Sequence, residues 1–293
     1  MKRLLAENKA MSNLFKLDVF LSDCTFENEP DLLRSTLKAG IIARALALYR
    51  VDRVVIYKGR RDKACSELGE RLEKLLWYQV VPPYLKRKII PRSPVYRYAG
   101  LLPPLQIDTH VVTDPPSIGE VRLGLVRRRA KEKLVVDVGL RSDVEVMVNG
   151  ETGPWLRRLV PVEFTGEGWR ILKERNAYLG FEVIYERDRD IVSLMRSYGG
   201  LRIGTSRLGF PAWEAGEKLV SSISPGARVA VVFGEPYRGL REIVDEHGGR
   251  VEELFDFYLN FIPGQGTRTV RVEEALVAVL QTIIFLNHVY RSI

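Results

Sequence analysis

The chain has 293 residues, 46% of them hydrophobic and 28% charged, a globular composition that excludes a disordered chain and leaves room for one large or two medium domains. Lys and Arg outnumber Asp and Glu 45 to 37, and the net charge of +8 favours a polyanionic partner, nucleic acid ahead of membrane, over a charge that serves solubility alone. Two cysteines, Cys24 and Cys65, and three histidines, His110, His247 and His288, match no zinc spacing, so no metal is expected, and so few cysteines fit a reducing compartment.

In chain order, Met1-Lys2-Arg3-Leu4-Leu5 is basic without the apolar stretch of a secretory signal, which points to a cytoplasmic protein. Residues 17–21 alternate as a strand, and 31–49 carry apolar residues at helical spacing, with Pro30 where a first-turn proline belongs. A buried strand over 53–57 and a helix over 64–80 complete a strand, helix, strand, helix pattern, as in a parallel α/β sheet. From Val81 to Asp114 proline is frequent, which forbids long helices and central strands. Five short β-prone runs follow (121–126, 134–138, 144–148, 159–164 and 169–172), the spacing of a small barrel or sandwich.

The α/β rhythm returns with strands at 181–185, 201–203, 228–233 and 257–262 and helices near 191–198, 215–221 and 240–247. A last helix spans 272–290. Its longest apolar run, Ala275 to Leu286, contains Gln281 and Thr282 and is too short for a membrane span, so no membrane partner is expected. The expected layout is one discontinuous α/β domain, 1–89 and 177–293, with a β-rich domain, 90–176, inserted in it. The N-terminal part alone has too few strands to bury a sheet.

Three junctions carry glycine just past a buried strand: Ile203-Gly204-Thr205-Ser206, Phe233-Gly234-Glu235-Pro236 and Ile262-Pro263-Gly264-Gln265-Gly266-Thr267. Ligands bind at that edge of open α/β sheets, and glycine lets backbone groups approach them. No Walker loop, Gly-x-Gly-x-x-Gly or Gly-x-Ser-x-Gly is present, which disfavours kinases, ATPases, ordinary dehydrogenases and lipase-like hydrolases.

The stretch Ile262 to Ala275 (IPGQGTRTVRVEEA) resembles the C-terminal motif of the SPOUT, or α/β-knot, methyltransferases. The likeness is greatest to an archaeal and eukaryotic branch that carries an OB-like barrel insertion. Ala39 to Ala45, Tyr49 to Ile56, Tyr98 to Leu105, Asp137 to Leu140 and the other two glycine junctions resemble the same branch in the same order. Ile41 departs from it, standing where a polar residue such as Gln is expected.

The resemblance implies a trefoil-knotted α/β domain with a mostly parallel sheet, an OB-like RNA-binding insertion, and S-adenosyl-L-methionine held in the knot loops. It also implies a homodimer, with the apolar stripe Leu276, Val279, Leu280, Ile283 and Ile284 of the last helix at the interface or, equally, in the core. The cofactor residues implied are Thr205, Gly234, Glu235, Ile262, Gly264, Gly266, Thr269 and Val270. Candidate catalytic residues are Arg44, Glu235, Arg268, Arg271 and Glu274. Acids could take a proton, and arginines could hold phosphate or stabilise an anion. Glu273 and Glu274 could instead favour the last helix's N-terminus.

In the insertion, Lys86-Arg87-Lys88, Arg127-Arg128-Arg129 with Lys131 and Lys133, and Arg157-Arg158 lie among Tyr84, Tyr96, Tyr98, Trp155 and Trp169, a mixture suited to single-stranded RNA. The expected activity is methylation of ribosomal RNA at uridine N3, with ribose 2′-O-methylation or a non-catalytic assembly factor as alternatives.

Overall fold

A computed structural model describes residues 15–62, 64–148, 158–172 and 177–291. The described residues form two compact units. One takes the chain up to Trp77, Val95–Pro103 and everything from Phe181; the other takes Tyr78–Pro94 and Pro104–Gly180.

The first unit is built on a six-stranded, all-parallel sheet. Its strands are β1 (Lys16–Ser22), β2 (Arg53–Lys58), β8 (Glu182–Asp190), β9 (Leu201–Pro211), β10 (Arg228–Val232) and β11 (Phe257–Asn260), in the order β11-β9-β10-β1-β2-β8. In the centre, Val19 pairs with Val231 on one side and Val54 on the other. Leu17, Val19, Phe20 and Leu21 are all buried, as in a strand covered on both faces.

The helices of this unit are α1 (Leu32–Leu48), most of α2 (Ser66–Val80), α4 (Ile191–Arg196), α5 (Gly216–Ser221), α6 (Leu240–Glu246), α7 (Val251–Leu254) and α8 (Val272–Arg291). Asp31, not Pro30, caps α1, its carboxylate accepting the Arg34 amide at 2.8 Å, so the proline precedes the cap. One core joins Phe20, Val55, Ala230 and Val232 of the sheet to Ile191, Met195, Ile243 and Val251 of α4, α6 and α7.

Helix α8 packs on α1 and α5. With 20 residues and a mean hydropathy of 1.4 it is long and apolar enough to cross a membrane, unlike the shorter run read from sequence. Leu276, Val279, Leu280 and Ile283 are nonetheless buried within the unit, which makes that stripe core. Cys24 and Cys65 are joined in a disulfide with Cα atoms 5.0 Å apart, which their low number did not foretell.

The second unit holds a closed five-stranded barrel of β3 (Val121–Ala130), β4 (Lys133–Asp137), β5 (Val144–Met147), β6 (Leu159–Phe164) and β7 (Trp169–Ile171), ordered β3-β4-β5-β7-β6. Val126, Leu134, Val136, Val146, Val160, Val162 and Trp169 fill it. Arg122, 1% exposed, lies under them. Its guanidinium donates to Val138 O at 2.9 Å and Thr113 O at 2.6 Å, pairs with Glu120 at 2.7 Å and sits over the Trp169 ring. Helix α3 (Pro83–Ile89) is one short helix in the proline-rich stretch, entered through prolines that suit a first turn.

Within this unit Arg127 pairs with Asp137, Lys133 with Glu145 and Arg170 with Glu163, so part of the basic charge is balanced internally. Arg128, Arg129 and Lys131 remain on the exposed surface. Trp155 and Arg157 of the expected basic and aromatic groups lie outside the described residues.

Asp18, fully buried in β1, receives Arg53 Nε at 3.1 Å, Arg228 Nε at 2.8 Å and Tyr198 OH at 2.8 Å, tying three strands together. Burial alone would raise its carboxyl, but the hydrogen bonds from Arg53, Arg228 and Tyr198 outweigh it and hold the pKa below its ordinary value. The stability this provides is present above the unfolded carboxyl pKa of about 3.9 and is lost as pH falls through the lower folded value. Asp18→Asn removes it and leaves two neighbouring guanidinium groups without their shared partner. The expected cost is about 3 kcal/mol in chemical denaturation at pH 7, with a much smaller difference from wild type at pH 2.

Candidate functional site

At one edge of the parallel sheet, residues within β9, the segment that follows β10 and the end of β11 enclose a cavity of about 500 Å³, a size suited to a small-molecule ligand. Three segments line it: Thr205–Leu208, Phe233–Glu242 and a stretch from Tyr258 to Val272, with Ala275 and Val279 of α8 behind. The three glycine junctions therefore do meet.

The first junction is not a loop. Strand β9 continues to Pro211, and its pairing with β11 jumps from Gly204 to Phe210, so residues 205–209 bulge towards the cavity from within the strand. Gly204 is packed against Phe255 and Tyr258, where a Cβ would lie 2.9–3.0 Å from their rings.

Hydrogen bonds lace the segments together. Thr205 Oγ1 donates to Val232 O at 2.9 Å, and Asn260 donates through Nδ2 to Arg207 O at 2.8 Å while accepting the Ile262 amide at 2.9 Å. Arg207 reaches across to Arg268 O at 2.9 Å. Gly264 has φ +72°, a left-handed conformation that favours glycine and turns the chain at the rim.

Of the residues proposed from sequence, Thr205, Gly234, Glu235, Ile262, Arg268, Thr269 and Val270 line this cavity. Gly264 and Gly266 belong to the same turn without lining it, and Arg44, Arg271 and Glu274 lie off it. Arg207, Tyr237, Arg238, Arg241 and Asn260 also line it and were not singled out. Four of them are within three residues of a quoted junction, so the signal was proximity to a strand end.

The candidate acids do not point into the cavity as free carboxylates. Glu235 contributes its main chain, while its side chain is fully buried, accepting from Ser22 Oγ at 2.7 Å and Arg238 Nε at 2.8 Å. Burial opposes charge on Arg238, but bonds to Glu235 and Glu246 outweigh it and raise its pKa further. Next to this pair Asp23 is raised above its ordinary value, first by burial and then by the charge of Glu235, even though it accepts the Gly59 amide at 2.9 Å.

Glu274 accepts the Arg271 amide at 2.9 Å, as the third helical residue does in a capping box at the start of α8. Glu273 is buried against Lys38, 3.6 Å away, and Lys38 also meets Glu29 at 3.3 Å. Arg271 sits 3.5 Å from Glu29 and 3.6 Å from Glu273. These groups fasten α8 to the segment around α1.

Among the described residues no carboxylate pairs with Arg268, an exposed cation on the cavity wall. Glu274 in its capping position predicts that Glu274→Ala lowers stability by about 1 kcal/mol in urea denaturation while Glu274→Gln, which can still accept the amide, stays within about 0.3 kcal/mol of wild type. A catalytic base would give the opposite pattern, with Gln as damaging to turnover as Ala.

Residues 16–283 match the family described as "Putative RNA methyltransferase". A protein of Haloarcula marismortui without an assigned function is 31% identical over 85% of this chain and 92% of its own length. The 28S rRNA (uridine-N(3))-methyltransferase of Homo sapiens is 28% identical over 95% of this chain and 80% of its own, and that of Mus musculus is 27% identical over 95% and 78%. A solved structure of a probable methylase family protein from Haemophilus influenzae Rd KW20 aligns over 96% of this chain and 69% of its own, with 11% identity and a TM-score of 0.38. With the family match spanning nearly the whole sequence, the chain belongs to this family of RNA methyltransferases.

Proposed function

We propose that the chain transfers a methyl group from S-adenosyl-L-methionine to N3 of a uridine in ribosomal RNA. The observation that carries the reading is the chamber where the bulge of β9 meets the segments after β10 and β11, with Arg268, which pairs with no carboxylate among the described residues, on its wall. Apolar side chains of Phe233, Leu259 and Val270, beside main-chain groups of the three segments, suit a purine base with a polar tail. When bound, the donor supplies a methyl group on a positively charged sulfur.

The protein's own task is to align the acceptor and to manage its proton. Uracil N3–H is far more acidic than a ribose hydroxyl, so its proton can pass to water without a strong base while a guanidinium stabilises the anion that the methyl group then reaches. The acids lining the chamber are tied up, Glu235 by Ser22 and Arg238 and Glu242 by the Gly239 amide, and Glu274 beside it is held in a helix cap. This arrangement supports N3, with Arg268 stabilising the negative charge that develops on the base. The uridine-N(3) specificity of the human and mouse relatives points the same way.

Three structural features go with this reading. The C-terminal third is proposed to thread a SPOUT-type knot, which fits a β9 strand paired between the later β10 and β11. The barrel is proposed as an OB-like RNA-binding module, supported by five closed strands with one parallel pair, β5 with β7. The active form is proposed to be a homodimer. Leu37, Ile41 and Leu48 on α1 and Val277 and Phe285 on α8 are exposed apolar residues on helices that pack together, and Ile41, the departure from the related pattern, is 52% exposed there.

The test is incubation of the protein with ribosomal RNA and S-adenosyl-L-methionine, followed by mass spectrometry of the nucleosides. 3-Methyluridine is expected, with kcat reduced about a hundredfold in Arg268→Ala. A 2′-O-methyl nucleoside as sole product would overturn the N3 assignment, and unchanged kcat in the variant would remove Arg268 from the chemistry.

A further inference from the structure

The turn from Gly234 to Gly239 forms one wall of the chamber, and apart from Pro236 its glycine ends leave its conformation to be set by its neighbours. It leaves β10, carries glycine at each end, and must present main-chain groups to a ligand in one conformation. Such presentation requires that the turn be held from behind. The groups that hold it are Glu235 and Arg238, which belong to the chamber's lining, and Ser22, which does not.

Glu235 is the anchor. Its carboxylate is fully buried, with one oxygen 2.7 Å from Ser22 Oγ and the other 2.8 Å from the Arg238 guanidinium. The Glu235 amide closes the turn on Arg238 O at 2.9 Å. Arg238 then reaches outward, donating to Gly59 O at 3.0 Å and pairing with Glu246 at the end of α6.

Each tether ends on a different element. Ser22 is the last residue of β1, and its hydroxyl oxygen also accepts the Cys24 amide at 3.0 Å, which orients the hydroxyl proton towards Glu235. Gly59 follows β2, and a Cβ there would lie 2.0 Å from Glu235 Oε1 and 2.2 Å from Ser22 Oγ, so only glycine allows this approach. From the same strand Tyr57 OH donates to Phe233 O at 2.7 Å, fixing the residue that enters the turn.

We propose that Ser22 and Arg238 are positioning residues for the methyl donor, holding the Glu235 carboxylate out of the chamber so that the turn's main chain is set for binding. This rests on the reading of the chamber as the methyl-donor site. Neither residue is asked to touch the reacting atoms. Loss of one donor leaves a buried carboxylate oxygen unsatisfied, and the turn relaxes to satisfy it.

The test measures S-adenosylhomocysteine binding by calorimetry in wild type, Ser22→Ala and Arg238→Lys, beside each protein's affinity for ribosomal RNA without cofactor. Arg238→Lys keeps the charge but not the forked geometry, and it carries the test should Ser22→Ala fail to fold. The cofactor Kd is expected to rise about tenfold in each variant while RNA affinity stays within about twofold. Ser22→Thr, which keeps the hydroxyl, is expected to recover most of the cofactor affinity. Wild-type binding with both variants unchanged, or RNA and cofactor affinity falling together, overturns the positioning role alone. A folded wild type that binds no S-adenosylhomocysteine overturns the methyl-donor reading and this proposal with it.

Discussion

The parallel pairing of β9 between β10 and β11 is the constraint on which the site depends. Parallel strands must all end on the same edge, so segments distant in sequence are delivered to one place without any of them having to be long. Next to it the buried apolar run of β10 and Asp18, which joins β1 to arginines on both of its own neighbours, hold the centre of the sheet. The sheet supplies the scaffold and the strand ends supply the chemistry.

Charge is used in two ways in this unit. Buried acids are occupied in structure: Asp18 with Arg53 and Arg228, Glu235 with Ser22 and Arg238, and Glu273 near Lys38. Removing one partner of such a pair is costly because the other charge is left in a poorly solvated place. The chamber wall, in contrast, combines apolar side chains and main-chain groups with Arg207, Arg241 and Arg268, and its acid Glu242 accepts the Gly239 amide at 2.8 Å. A site of that kind favours positioning and anion stabilisation over general-base chemistry, which suits an acceptor that is already a weak acid.

Much of the fold was legible because its signals are local. The strand, helix, strand, helix rhythm, the glycine junctions and the five short β runs can each be read within a dozen residues. What was not legible depends on distant partners. Nothing near Gly204 says that β9 continues to Pro211 through a bulge, since that is decided by pairing with β11. Glu235 next to a glycine junction looks like a chamber acid, and Ser22, 213 positions away, turns it aside together with Arg238. The helix stripe Leu276 to Ile283 has a spacing that fits an interface or a core equally, and contact with α1 and α5 decides for the core. Arg207 and Asn260 carried no motif, and their role comes from a hydrogen bond across two strands.

The central claim is that the chamber formed by the β9 bulge and the segments after β10 and β11 holds the methyl donor. A crystal structure of the protein soaked with S-adenosylhomocysteine tests it most directly. The account predicts electron density for the ligand between residues 205–208, 233–239 and 258–270, with its adenine against main-chain atoms of those segments. Well-defined ligand density anywhere else in the molecule, with this chamber empty, would contradict it.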